Sequence, residues 1–335
     1  MSFHFFPINY QPLYSIQRTR LYISQYIQLL NNHVREKFSA LYIEPPLVSS
    51  INRSWNVAQQ TQRFVSFDNC LNSEINEIVI DPTNYMRYVL ATLKKQDLSL
   101  FTMMPCIQRD VLEDNGEVLI NHNLFIEQPL IEDNDDKEQI ASILKNALSM
   151  INAINSDILF KDIKPVSYDK QKINFITIEA LHRQFPTLDL NKALNHLVAN
   201  IGSTYVTGVY KILAGGIRLL NGFPTIDNYQ KCGIFYVYNQ YTNTAVPLIK
   251  ISIRPSQELI REQIILDGIN VLQKQMYQQT ILNDNLKLVP SVGIEIFFSN
   301  LMLVNLHKYH LCEVVHTACS PELLKYFIDN KVEIF

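Results

Sequence analysis

Glycine is scarce in this chain, and its scarcity limits the folds open to the sequence more than any other feature. Only nine of the 335 residues are glycine, under half of the roughly 7% that is usual in soluble proteins. Phosphate-binding loops use glycine because its missing side chain lets the backbone approach the anion closely. The sequence contains no G-x-G-x-x-G, G-x-x-x-x-G-K-[ST] or G-x-S-x-G pattern. We therefore exclude the common dinucleotide-binding, P-loop and α/β-hydrolase sites.

The composition predicts a folded protein that does not bind nucleic acid. Hydrophobic residues make up 47% of the chain and charged residues 18%, which is enough to build a sizeable core. The net charge of −3 and the pI of about 6.2 provide no basic field for nucleic acid or for anionic lipid. No apolar run approaches the length of a membrane span, so we expect no contact with a membrane.

The five cysteines predict a reducing compartment. Their number is odd and no C-x-x-C pair occurs, so the sequence favours neither a disulfide framework nor a zinc ribbon. The amino-terminal residues lack the charged segment and the long apolar run of a signal peptide. We therefore expect a cytoplasmic protein with reduced thiols.

The hydrophobic periodicity predicts a single α+β domain over residues 1–335, built around a mainly antiparallel sheet. The first half contains an amphipathic helix at about 14–38, a strand at 41–48 that includes Pro45 and Pro46, a helix opened by Pro82, and strands at 98–104 and 124–131. The second half adds helices at 178–184, 189–201 and 256–279, and strands at 233–238, 246–254, 291–297 and 311–316.

A cluster of potential metal ligands lies near the carboxyl end, in His307, His310, Cys312, Glu313 and His316. Imidazole, thiolate and carboxylate groups all bind zinc. The predicted strand at 311–316, however, sends Cys312 and Glu313 to opposite faces. We therefore predict no metal site.

The order of these segments resembles the class II aminoacyl-tRNA synthetase-like catalytic domains, and most closely asparagine synthetase A, the ammonia-dependent aspartate ligase of that superfamily. The resemblance extends in order from about residue 14 to 318. The matching segments are 77–80, 123–128, 179–189, 233–239, 253–254 and 290–314. Each is short, and their collinearity along the whole chain carries the resemblance.

The resemblance implies a six- to eight-stranded antiparallel sheet flanked by helices, in a homodimer. It also implies that ATP with magnesium activates the aspartate side chain as an acyl-adenylate, which ammonia then attacks. Gln128, Asp227 and Arg254 match functional positions of the family, and Arg87 is kept beside Met86, the position of the family's pocket lysine.

Other family positions have lost their chemistry. By the same alignment, the two magnesium carboxylates fall on Ile234 and Pro247, and the arginine that stacks on adenine falls on Asn300. Further losses are at Arg53, which replaces an acid, and at Met86, Gln108 and Leu130. Removing one preorganised charge from a transition state lowers the rate by about 10²–10³, so several such losses predict no adenylation by this route.

We therefore predict a catalytically degenerate family member, a binding protein rather than an enzyme. Its expected partner is a small polar or anionic, amino-acid-like molecule or another protein. The residues predicted to bind the ligand are Arg53, Asp81, Arg87, Gln128, Asp227, Lys250 and Arg254. No cofactor is expected, and ATP and magnesium are needed only if this hypothesis is wrong. Two alternatives stay open: a ligase or transferase with changed chemistry in a specialised biosynthetic pathway, and an active aspartate–ammonia ligase.

Overall fold

The computed structural model describes residues 10–56, 63–70, 72–93, 97–110, 117–130, 135–160, 162–169, 172–269, 277 and 280–335. Eleven strands are present in these residues: β1 Ala40–Tyr42, β2 Val48–Ser50, β3 Ser66–Asn69, β4 Asn72–Ile78, β5 Ser99–Ile107, β6 Ile120–Pro129, β7 Asn174–Thr177, β8 Thr204–Thr207, β9 Cys232–Asn239, β10 Thr244–Ile253 and β11 Ser291–Ile296. The helices are α1 Ile16–Phe38, α2 Thr83–Leu93, α3 Asp136–Asp157, α4 Ile178–Gln184, α5 Leu190–Ile201, α6 Gln257–Leu266, α7 Phe298–Asn305 and α8 Pro321–Asp329.

Eight of the strands form one sheet in the order β1-β5-β6-β11-β10-β9-β8-β7, and β2, β4 and β3 form a small second sheet. The pairing in the large sheet is antiparallel except at its two edges, where β1 joins β5 and β7 joins β8 in parallel. The predicted antiparallel sheet flanked by helices is confirmed.

The two faces of the large sheet differ in what covers them. One face packs on α1, α3 and α7, through side chains such as Leu30, Leu144 and Met302, to form the main hydrophobic core. On the other face, α4 and α5 cover the end around β8–β10 with a separate apolar cluster. Between that cluster and α2, the same face carries charged side chains (described below).

Three local expectations need correction. The predicted strand at 41–48 is two short strands, β1 and β2, because Pro45 and Pro46 cannot donate ladder hydrogen bonds. The predicted strand at 311–316 is instead a 3-10 turn at Leu311–Glu313. There the backbone N–H of Cys312 donates to His310 Nδ1 at 3.1 Å and Glu313 caps the turn from within. The helix predicted over 256–279 begins at its N-cap Ser256 and is described as far as Leu266, with most of the remainder outside the described residues.

Within the part of the chain that the structure describes, the helices fall short of the length and apolarity that crossing a membrane would require.

Candidate functional site

Five of the seven residues predicted to bind a ligand converge on the charged part of the sheet face: Asp81, Arg87, Asp227, Lys250 and Arg254. Two carboxylates that the sequence argument had not selected, Glu127 and Glu295, join them. All seven residues are less than a tenth exposed. We refer to these seven residues as the charged cluster.

Arg254 is held by Glu127, the nearest carboxylate of its own chain. Its Nε donates to Glu127 Oε2 at 2.9 Å, and its Nη2 lies 2.8 Å from the same oxygen. The remaining donors reach the carbonyl of Ile226 at 2.9 Å and the hydroxyl of Thr83 at 3.4 Å. Burial lowers the pKa of Arg254, but the adjacent Glu127, together with the charges of Asp227 and Asp81, outweighs burial and the net shift of the pKa is upward. The guanidinium is therefore charged and has its hydrogen bonds satisfied internally.

Gly293 makes the approach of Arg254 possible. It lies on β11, and a Cβ atom added there would sit 1.5 Å from Arg254 Nη2 and 2.0 Å from its Cζ. Glu127 stands directly opposite Gly293 on β6. The guanidinium of Arg254 thus occupies the space that a side chain at position 293 would fill.

Lys250 forms the second half of the cluster. Strand register places it directly opposite Glu295, and its Nζ lies 2.8 Å from Glu295 Oε2 and 3.6 Å from Asp227 Oδ1. Asn123 donates to the other oxygen of Glu295 at 2.8 Å. Burial acts to lower the pKa of Lys250, but Asp227 and Glu295 together raise it well above its usual range. The cation that these carboxylates bind is therefore the chain's own ammonium group.

Asp81 is the least compensated carboxylate of the cluster. Its Oδ1 accepts the backbone N–H of Thr83 at 2.8 Å, next to the start of α2. Burial raises its pKa, the negative charge of Glu295 raises it further, and Lys250 offsets part of the effect, which leaves the pKa at about 6. The cluster contains four carboxylates and three cations, so one carboxylate in excess takes up a proton first.

Arg87, within the charged cluster, links separate elements of the fold through backbone carbonyls. Its Nη1 and Nη2 donate to the carbonyls of Thr225 and Pro255, at 2.8 and 2.6 Å. Burial lowers its pKa to about 10. It thereby ties α2 to the loop before β9 and to the end of β10.

Gln128 and Arg53 lie away from the charged cluster. Gln128 is paired with Val292, a residue of the main core, and strand alternation turns its side chain to the opposite sheet face from Glu127. Arg53 ends an exposed 3-10 turn at Ile51–Arg53, near Glu74. A hydrogen bond from Ser50 is the main cause that lowers the pKa of Glu74, and the charge of Arg53 adds to it.

The sequence contained a signal for the residues that were missed. Glu127 and Glu295 are the acidic residues of strands whose other central positions are apolar, β6 and β11. A buried carboxylate in such a strand needs a partner. Strand alternation puts Lys250 and Arg254 on one sheet face, where they are candidates for that partner.

The two positions where the family resemblance expects magnesium carboxylates are apolar. Ile234 is 4% exposed within the cluster formed by α4, α5 and β8–β10, and Phe297 packs on that cluster. Pro247 stands opposite Tyr236, next to an irregularity in the β9–β10 pairing. Asn300, at the position expected for the arginine that stacks on adenine, donates to the carbonyl of Pro247 at 3.0 Å.

These residues do not fit ATP and magnesium. The side chains of Ile234 and Pro247 offer no oxygen ligand, and the nearby carboxylates of Glu295 and Glu127 are paired with Lys250 and Arg254. Across the described ranges, no group of three or more histidine, cysteine or acidic side chains is arranged to hold a metal ion. Among the described residues of this face, the charged cluster therefore offers polyphosphate neither an open cation nor a metal-binding carboxylate pair.

The histidine-rich segment near the carboxyl end makes hydrogen bonds and ion pairs within the fold. His310 caps the 3-10 turn, and burial lowers its pKa to about 4. His307 contacts the carbonyl of Lys164 through its Nε2 at 2.9 Å. Glu313 accepts the hydroxyl of Tyr10 at 3.0 Å and lies 3.5 Å from Lys308 Nζ.

Comparison with known proteins identifies the relatives of this architecture. The family model described as aspartate–ammonia ligase matches residues 17–331. The aspartate–ammonia ligase of Clostridium perfringens strain SM101 is 23% identical over 341 residues, covering 98% of both chains. The ligase of the same name from Ligilactobacillus salivarius strain UCC118 is 23% identical over 337 residues, again covering 98% of both chains.

Solved structures of class II synthetases share the fold. Asparaginyl-tRNA synthetase from Entamoeba histolytica, in complex with asparaginyl-adenylate, matches with a TM-score of 0.63 and 12% identity over 90% of this chain. The Pyrococcus horikoshii asparaginyl-tRNA synthetase, complexed with asparaginyl-adenylate, gives a TM-score of 0.65 at 9% identity, also over 90% of this chain. The chain spans only 66% and 68% of those two proteins, and at these identities the likeness concerns the fold alone.

Proposed function

The chain belongs to the aspartate–ammonia ligase family, and from this premise we propose that it is a non-catalytic binding member of the family rather than a ligase. The observation that carries the proposal is the Arg254–Glu127 pair, in which the guanidinium donates to a carboxylate of its own chain. A substrate carboxylate would have to displace a buried partner that is covalently part of the protein. Such a contact has a high effective concentration that a free amino acid cannot match.

The apolar half of the face supports the same proposal. Adenylation needs charge stabilisation for a polyphosphate leaving group, supplied by cations or metal ions. Ile234 and Phe297 belong to a packed apolar cluster, and Asn300 is engaged with a backbone carbonyl. A polyphosphate would have to displace this packing, which favours loss of the adenylation step.

The alternative of changed chemistry is less well supported by the geometry. Asp81 and Lys250 are its strongest candidates for a reactive group, and both are about a twentieth exposed. Lys250 is held between Glu295 and Asp227, so reaction at its nitrogen would first require these ion pairs to break.

An assay of pyrophosphate release tests the absence of ligase activity. The chain is incubated with ATP, magnesium, aspartate and ammonia, with the Ligilactobacillus salivarius aspartate–ammonia ligase as the positive control. We expect release at least about 10⁴-fold slower than that of the control, as the loss of two preorganised charges predicts. Release within tenfold of the control rate would overturn the proposal.

Ligand binding is tested through the Arg254–Glu127 pair itself. Glu127→Gln keeps the side-chain shape but removes the charge, so Arg254 is left without its internal carboxylate. We expect aspartate or acetate to raise the melting temperature of this variant more than that of the wild type, since a ligand selective for the folded state stabilises it. Glu322→Gln, at an exposed position of α8, is the matched control and should respond like the wild type. An equal response of all three proteins would indicate that Glu127 does not occupy the ligand position.

The partner we propose is a second copy of the chain. The strand β1 lies at the edge of the large sheet, and Leu41 on β1 and Leu47 just before β2 are 57% and 55% exposed. Exposed apolar side chains at the edge of a sheet favour association. Light scattering after chromatography should give a dimer mass for the wild type and a monomer mass for Leu41→Glu. Leu159→Glu, at a 76% exposed position after α3, should leave the dimer intact. A monomeric wild type at micromolar concentration would refute this part of the proposal.

A further inference from the structure

Two cysteine thiols meet near the carboxyl end of the chain, a pairing that the cysteine count and spacing did not predict. Cys312 lies in the 3-10 turn at Leu311–Glu313 and is buried, while Cys319 precedes Ser320, the N-cap of α8, and is partly exposed. Their sulfur atoms are 3.1 Å apart. A disulfide bond is about 2.05 Å long, so an approach of about 1 Å joins the two atoms.

The segment between these cysteines connects parts of the chain that are distant in sequence. The carbonyl of Cys312 accepts the N–H of Phe335 at 2.8 Å, and Thr317 Oγ1 accepts the N–H of Ile120 at 3.1 Å. Glu313 accepts the hydroxyl of Tyr10 at 3.0 Å. Residues 312–319 therefore hold together the amino-terminal segment, the carboxyl terminus and the first residue of β6.

We propose that Cys312 and Cys319 form a reversible disulfide, a redox site that locks residues 312–319 when a low-molecular-weight disulfide such as glutathione disulfide accumulates. The difference in exposure sets the order of the two steps. Cys319 is the partly exposed thiol, and the sulfur of the buried Cys312 lies 3.1 Å from its own. Cys319 thus attacks the external disulfide, and Cys312 resolves the adduct.

The chemistry balances as two thiol–disulfide exchanges. The deprotonated Cys319 sulfur attacks one sulfur of glutathione disulfide, which forms a mixed disulfide and releases one glutathione thiolate. The deprotonated Cys312 sulfur then attacks the Cys319 sulfur and releases the second glutathione. The protein gives up two protons and two electrons, and one glutathione disulfide becomes two glutathione thiols. Excess reduced glutathione reverses both steps.

The consequence is a covalent closure of a segment that already joins both ends of the chain. The expected readout is protection rather than a change of fold, because the thiols are in contact before the bond forms. Native-state proteolysis should cleave the oxidised protein near residues 312–319 more slowly than the reduced protein. Locking this segment restricts the local opening that a protease requires.

The test uses the full-length chain in glutathione buffers of graded redox ratio. Thiols are trapped by alkylation, and the products are identified by intact mass and peptide mapping without prior denaturation. We expect the wild type to lose two hydrogens and to yield a peptide that links Cys312 to Cys319. In Cys312→Ser, the glutathione adduct at Cys319 should persist at least about tenfold longer than in the wild type, because the intramolecular resolving thiol is gone.

One further variant and one internal reference thiol keep the test decisive. Cys106→Ser changes a buried cysteine of the other sheet face and should leave the link between Cys312 and Cys319 unchanged. The exposed Cys70 reports the reactivity of a surface thiol within the same molecule. The proposal is overturned if the linked peptide appears only after unfolding, or if the adduct at Cys319 is equally long-lived in the wild type and in Cys312→Ser.

Discussion

Gly293→Ala is the substitution that tests most directly how the charged face is built. The added methyl group would lie 1.5 Å from Arg254 Nη2 and 2.4 Å from its Nε, well inside any tolerated contact. The backbone at Gly293 has no left-handed conformation that alanine would oppose. Any loss of stability therefore comes from the displaced guanidinium.

The sign of the effect separates the two outcomes. Alanine in place of glycine within a strand stabilises a protein by about 0.5–1 kcal/mol when its side chain finds room. Forcing Arg254 away from Glu127 leaves charges buried without their partner, which costs about 3–5 kcal/mol. We therefore expect Gly293→Ala to lower the free energy of unfolding by about 2–4 kcal/mol, measured by urea denaturation followed by circular dichroism.

A double-mutant comparison identifies the cause of that loss. In the Glu127→Leu/Arg254→Met background the guanidinium is absent, so adding Gly293→Ala should change the stability by less than about 1 kcal/mol. If Gly293→Ala is as stable as the wild type, or costs as much in this background, the close approach of Arg254 does not explain the glycine.

Three further predictions concern the two halves of the face. The pKa of Asp81 is about 6 in the folded protein against an ordinary value of 3.8. Protonated Asp81 therefore contributes its full stabilisation below about pH 4, and about 3 kcal/mol of the free energy of unfolding is lost as pH rises through 6. Urea titrations at pH 4 and pH 7 should reveal this loss in the wild type but not in Asp81→Asn. Ile234→Asp should lower the free energy of unfolding by several kcal/mol without producing pyrophosphate release, whereas Ile234→Val should cost only about 1 kcal/mol. Asn300→Ala removes the hydrogen bond to Pro247 and should cost about 1 kcal/mol in the same denaturation assay, and no loss would indicate that this contact contributes nothing.

The sequence alone determined the architecture because its signals are local and repeat along the chain. The apolar stripe of α1, the starts of the helices near Asp189 and Ser256, and the helix after Pro82 depend on neighbouring residues, and the structure confirms these elements. The collinear family resemblance led to the correct fold and family. It did so because it depends on the order of segments, which weak similarity at each segment preserves.

The same reasoning could not decide what the charged residues contact. Strand alternation puts Lys250 and Arg254 on one face, but their partners Glu295 and Glu127 come from β11 and β6, which lie far away in the sequence. Only strand register showed that Glu127 faces Arg254 while Gln128, one residue later, points into the opposite layer.

Tertiary structure also decided the meaning of the residues at the positions of lost function. In the sequence, Ile234 and Asn300 indicated only that catalytic groups expected at their positions are missing. In the fold they have roles of their own, as part of an apolar cluster and as donor to a backbone carbonyl. Spacing likewise said nothing of the contact between Cys312 and Cys319, because a turn and the start of a helix bring the two sulfurs together. The sequence determined most of the helices and strands, since their formation is set by neighbours a few residues apart, although the segments at 41–48 and 311–316 were assigned wrongly. The pairing of charges and thiols depended on how those elements pack, and only the folded chain defines it.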